Sequence, residues 1–187
     1  MKDTDQLVIQ FEKYATVLKK VLDSDVVDAL IDELGERLLM CPRGLTEEDG
    51  GTPGGLIEYS LEVAGVAKRL GSTFGNTKSL VRVALLHELG KVGYLESGTD
   101  MYLIQDSDWH RDKLGQVYKY NDECEKMNIA HRTLWLLSHY GVALTRDEWL
   151  AINVSQGMHL QENQFYANAL NPVAAGLLNA KMEVNFK

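Results

Sequence analysis

Apolar residues recur at helical spacing along most of this chain, and that periodicity leaves few folds open. Leu7, Phe11, Tyr14, Leu18, Val21 and Leu22 mark one amphipathic stripe, and Val26, Val27, Leu30, Ile31, Leu34 and Leu38 mark a second. The two stripes split near Asp23-Ser24-Asp25, where Ser and Asp supply side-chain acceptors for a helix start. Cys41-Pro42-Arg43-Gly44 ends the second helix and opens a Gly- and acid-rich loop over 43–55. Leu56, Ser60, Val63, Ala64 and Ala67 share one face of a third helix, and their small size permits close packing. Asn76-Thr77 caps a fourth, expected to run to Glu88 and stop at Gly90.

The pattern then changes. Val92-Gly93-Tyr94-Leu95 and Met101-Tyr102-Leu103-Ile104 flank the turn-like Glu96-Ser97-Gly98-Thr99-Asp100, which reads as a β-hairpin; Val117-Tyr118-Lys119-Tyr120 adds a candidate third strand. Helix returns over 130–140. Thr145-Arg146-Asp147-Glu148 is a capping box, and Asn171-Pro172 starts a last helix with Pro in its first turn. Trp135 and Trp149 read as core residues. No repeat or linker interrupts the chain. The expectation is one all-α domain over 1–187 with a small β-hairpin insertion, residues 1–40 forming an N-terminal helical extension of a 41–187 core.

Charge narrows the function classes. The 187 residues carry a formal net charge of -8, which disfavours a generic nucleic-acid surface, since that needs clustered Lys and Arg. Only His110–Lys119 is locally dense in cations. A small nucleotide held by a metal and a few local cations stays open. Cys41 and Cys124 stand in no metal-ligand spacing and read as reduced thiols, with a disulfide left open. Met1-Lys2-Asp3-Thr4-Asp5 lacks a secretory apolar core, and no apolar run reaches the roughly 20 residues of a membrane span. A cytoplasmic setting and no membrane partner are expected. The oligomeric state is left open.

The chemistry concentrates in Leu86-His87-Glu88-Leu89-Gly90-Lys91. A His and a carboxylate side by side at a helix end can hold a divalent metal, and a nearby Lys can meet a phosphate. Together with Pro53-Gly54-Gly55-Leu56-Ile57-Glu58-Tyr59-Ser60, Asp108-Trp109-His110-Arg111-Asp112-Lys113 and Arg132-Thr133-Leu134-Trp135-Leu136-Leu137-Ser138-His139, this motif resembles the His-Asp (HD) metal-dependent phosphohydrolase superfamily in its phage and bacterial form. The similarity runs from about residue 40 to the C-terminus.

The resemblance implies an HD helical bundle and hydrolysis of nucleotide phosphate esters by metal-activated water. It implies a metal among helices, held by a His on the first core helix, the His-Asp pair and a late Asp. Here Tyr59 matches the first His, and a phenol is a poor ligand at neutral pH. His87-Glu88 matches the pair, with Glu one methylene longer than Asp. The late Asp falls within Leu177–Met182, where Asn179 or Ala180 stands; Ser155-Gln156-Gly157 occupies a place where close members carry a further His.

The implied metal ligands are thus His87 and Glu88, for Mn, Co, Ni, Zn or Fe, or for no metal at all. Glu88 and Lys91 are the candidate catalytic residues. Tyr59, Trp109, His110, Lys113, Arg132 and His139 are the candidate substrate contacts. A rewired site drawing on Glu58, His110, His139 or His159 is one alternative. Blander readings stand beside these: His87 as a core histidine, Lys91 at a helix C-terminus, His110 in a solvated turn anchored by Trp109, His139 as a cap. Two functions compete, a phosphohydrolase (in the host cytoplasm if phage-encoded) and a non-catalytic nucleotide-binding or protein-interaction module.

Overall fold

A computed structural model of the chain describes residues 3–186. Its helices are α1 (Thr4–Leu18), α2 (Ser24–Met40), α3 (Gly55–Phe74), α4 (Thr77–Leu86), α5 (Asp108–Leu114), α6 (Ile129–His139), α7 (Arg146–Asn153), α8 (Gln161–Gln164) and α9 (Pro172–Asn185). A 3-10 turn, Leu89–Val92, follows α4, and strands β1 (Tyr102–Ile104) and β2 (Tyr118–Tyr120) pair antiparallel on either side of α5. The chain is therefore mostly helical with one small antiparallel sheet. Among the described residues no helix is long and apolar enough to cross a membrane.

Local chemistry starts most helices. Asp23, Asn76, Asn128 and Asn171 each accept a backbone N–H in the first turn that follows, and Pro172 leads α9. Thr145 and Glu148 form the reciprocal capping box of α7. Thr145→Ala should lower stability by about 1 kcal/mol, read as a fall in urea midpoint at an unchanged denaturant slope. Helix α3 is bounded by left-handed glycines, Gly54 at φ 73° and Gly75 at φ 80°.

Helix α3 is the spine, packing against α4 and α9, while α7 packs on α9 and α6 on the 3-10 turn. Gly90 makes that last contact possible: a Cβ there would sit 2.5 Å from the Ile129 carbonyl oxygen. Its N–H donates to Thr133 Oγ1 at 2.9 Å. Helices α1 and α2 belong to the same core. Leu18, Leu30 and Leu34 are fully buried in it, and the Tyr14 hydroxyl donates to the Leu85 carbonyl at 2.9 Å.

Three details differ from expectation. Residues 92–95 are not a strand; Val92 closes the 3-10 turn and Gly93 follows at φ 102°. The Arg37 guanidinium captures the Val92 and Tyr94 carbonyls, removing them from any ladder, so residues 102–104 pair with 118–120 instead. Trp135 and Trp149 lie 40% and 42% exposed, so neither anchors the core. In α6 the buried face is Ala130, Thr133, Leu136 and Leu137, and Trp135 falls off it to pack edge-on against Tyr94. Cys41 and Cys124 are both free and buried.

Candidate functional site

Helix α4 is apolar where it meets α3 and ends by delivering His87 into the interior. The His87 N–H closes the last turn on the Val83 carbonyl at 2.9 Å. Its ring Nδ1 lies 2.9 Å from the Ala84 carbonyl, which requires the proton on Nδ1 and leaves the Nε2 lone pair facing inward. Nε2 is buried without a hydrogen-bond partner, 3.9 Å from Glu88 Oε1. Burial, then the nearby Lys181 charge, lowers the His87 pKa to about 3, so the ring is neutral at physiological pH.

Glu88 sits between two ammonium groups. The 3-10 turn brings Lys91 Nζ to 2.7 Å from Oε2, and α9 brings Lys181 Nζ to 3.3 Å from Oε1. Each lysine also donates to a backbone carbonyl, Lys91 to Arg43 at 2.7 Å and Lys181 to Ser155 at 2.6 Å. Burial alone would raise the Glu88 pKa, but Lys91 and Lys181 together hold it far below the usual carboxylate range. Burial is also the main cause of a lowered Lys181 pKa, with Glu88 opposing it and Lys91 and Arg43 adding to it.

Tyr59, from α3, completes the cluster. Its ring centre is 5.9 Å from that of His87, and its hydroxyl is buried without a partner. Burial, helped by the Glu88 charge, pushes the phenol pKa up, so it stays protonated. The Arg43 guanidinium carbon lies 3.6 Å from the ring centre, and the group donates to Asn185 Oδ1 at 2.6 Å. Two ammonium groups, Lys91 and Lys181, thus meet one carboxylate, Glu88, leaving one positive charge in surplus, with the half-buried Arg43 guanidinium over the neighbouring Tyr59 ring. Beside them a cleft of about 350 Å³ has Met40, Met101, Tyr102 and Tyr118 in its wall, with Lys91 and Arg37 as cations and Glu36 and Asp100 as carboxylates. The Cys41 thiol, its pKa pushed by burial up to about 12, is inert there.

The residues present do not fit a divalent metal. Among the described residues no group of three or more His, Cys, Asp or Glu is placed to hold one, whereas a catalytic site keeps three protein ligands. An ion on Glu88 would also have to displace an ammonium already paired there.

The other expected site residues lie apart from this cluster. Trp109, His110 and Lys113 are on α5, where His110 Nδ1 bonds Ser107 Oγ at 2.8 Å. Arg132 is buried, but its guanidinium donates to the Gly90 and Glu125 carbonyls and stacks over Tyr94, binding the chain to itself. His139 stacks on Trp135 and lies 3.7 Å from Glu33. His159 packs against Gly157, and Glu58 Oε1 lies 3.5 Å from Gln10 Nε2. Asn179 bonds back to the Ala175 carbonyl, and Ala180 is buried. Sequence reasoning missed Lys181 and Arg43. The signal for Lys181 was there: Val173, Ala174, Leu177, Ala180 and Val184 are the buried stripe of α9, and Lys181 falls on the same helical spacing. No local pattern marks Arg43.

Comparison with protein-family models gives no match, and neither curated proteins nor solved structures yield a significant one.

Proposed function

We propose that the chain is a non-hydrolysing binding module on an HD-type helical scaffold, and that its buried cluster receives a phosphate-bearing ligand, a nucleotide above all, without a metal. One observation carries this reading: two buried ammonium groups share one carboxylate, with the Arg43 guanidinium close by on Tyr59. Buried charges are stable when balanced, and an unbalanced positive cluster attracts an anion. Phosphate would neutralise the surplus at Lys91 and Arg43, and the Tyr102, Tyr118, Met40 and Met101 wall of the adjoining cleft suits a base or sugar. The scaffold reading is supported by convergence. Tyr59, His87, Glu88 and Ser155, singled out on resemblance, come together from three separate segments, and Lys181 adds a cation against Glu88 from a fourth. The two free cysteines support a cytoplasmic setting, the host's if the chain is phage-encoded.

Thermal melting in EDTA with inorganic phosphate, pyrophosphate and nucleoside mono-, di- and triphosphates tests it. Saturable stabilisation is expected, about 2.7 kcal/mol at a hundredfold excess over Kd, absent in Lys181→Met, with no product by chromatography. No shift with any phosphate compound would overturn the reading.

The unpartnered His87 Nε2 favours a second reading, a metal-dependent phosphohydrolase. It requires product formation with Mn²⁺, Co²⁺, Ni²⁺, Zn²⁺ or Fe²⁺ that disappears in His87→Ala.

A further inference from the structure

A groove of about 530 Å³ runs between α1, α3 and the start of α4. Val17, Leu61, Ala64 and Val81 form its apolar lining, and Lys13, Lys20, Lys68 and Lys78 are exposed around it. No carboxylate lines it. Among the described residues none of these four lysines has a carboxylate partner, whereas Lys19, Lys91, Lys119 and Lys181 all do. In a chain of net charge -8, four unpaired lysines around one apolar groove are a local reversal of sign.

Gly65 adds a second observation. It lies in the middle of α3, where glycine weakens a helix. A Cβ at Gly65 would meet nothing within 4 Å, unlike one at Gly71, which would collide with Thr77. Nothing inside the molecule needs Gly65 to be small. Leu61, Ala64, Gly65 and Lys68 follow the spacing of one helix face, so the bare backbone opens onto the groove.

We infer that this groove seats an acidic amphipathic helix of a protein partner. The apolar lining takes that helix's apolar stripe, and Gly65 lets its backbone come close. Lys13 on α1 and Lys20 just past its C-terminal end border the same groove, so carboxylates spaced along the partner helix meet both. The inference goes beyond the phosphate-ligand reading and uses none of its residues, so phosphate stabilisation and helix binding can fail separately.

The probe is a fluorescein-labelled synthetic peptide with Leu at i, i+3, i+4 and i+7 and Glu on the flanking positions, followed by anisotropy with the full chain. Its control has the same composition in scrambled order. Binding in the micromolar range is expected for the amphipathic peptide alone. Lys13→Glu with Lys20→Glu should weaken it by roughly tenfold or more. Gly65→Leu should abolish it without lowering Tm, because leucine is the better helix former and its Cβ meets no neighbour. Several outcomes overturn the inference: no binding by the amphipathic peptide, equal binding of the scrambled peptide, or binding indifferent to Gly65→Leu. Preferential capture by vesicles containing phosphatidylglycerol would assign the groove to lipid instead. Self-association blocked by Gly65→Leu would assign it to a second copy of this chain.

Discussion

Glu88→Gln should destabilise the protein by about 3–5 kcal/mol, the usual cost of removing one partner from a buried ionic cluster. The shape barely changes, so the loss is electrostatic. Lys91 and Lys181 would remain buried against a neutral amide, with Arg43 adding to their repulsion. A typical domain has 5–15 kcal/mol in hand, so the variant should still fold in the cold and melt early. Urea titration of the metal-stripped protein measures it. Lys181→Met should have a much smaller effect, because it leaves Glu88 paired with Lys91 and reduces the surplus of positive charge. The double variant should recover part of the Glu88→Gln loss, a coupling that a double-mutant cycle reads directly. A Glu88→Gln penalty within about 0.5 kcal/mol, as for an ordinary surface change, would sink the ionic account.

The second large effect is acid sensitivity above the carboxylate range. An unfolded histidine takes up its proton near pH 6.5, whereas buried His87 does so only near 3. Between those values the unfolded state binds the extra proton, so stability falls as pH falls. The slope approaches ~1.4 kcal/mol per pH unit. It is absent above about pH 7 and flattens below about pH 3. Glu88, whose pKa is depressed by its lysines, adds its own loss once the pH drops below the ordinary carboxylate range. The two contributions separate in His87→Gln, which should flatten the curve between pH 6.5 and 5 while retaining the steeper limb at lower pH. An unchanged slope in that variant would mean another group titrates there.

Much of the architecture was legible along the chain because its causes act over a few residues. Asp23, Asn76, Thr145 with Glu148, and Asn171 each satisfy backbone donors within three positions of themselves, so helix starts could be read directly. Burial followed the helical period in α2 and α3, and in α6 that same period, applied strictly, removes Trp135 from the core. The hairpin legs were misassigned because the deciding partner was remote. Residues 92–95 look like a strand until Arg37, 55 positions away from Val92, takes the carbonyls a ladder would need. The short α8 carries too little pattern to be seen.

The site divides in the same way. The His87-Glu88-Leu89-Gly90-Lys91 run announces a charged cluster at a helix end, and the pairing of Glu88 with Lys91 is an i, i+3 contact inside it. Which cation stands on the carboxylate's other oxygen is a matter of packing. Lys181 arrives from α9, 93 residues downstream, because α9 lies against α3 and the Ser155 carbonyl accepts its ammonium. Arg43 closes over Tyr59 from a loop with no helical period to betray its direction. Short-range hydrogen bonding and helical periodicity thus wrote the helices and half of the cluster into the order of residues. The charge balance on which the anion-binding proposal rests arose only when α9 and the 41–54 loop were packed against α3, since electrostatics depends on distance in space and not on distance along the chain.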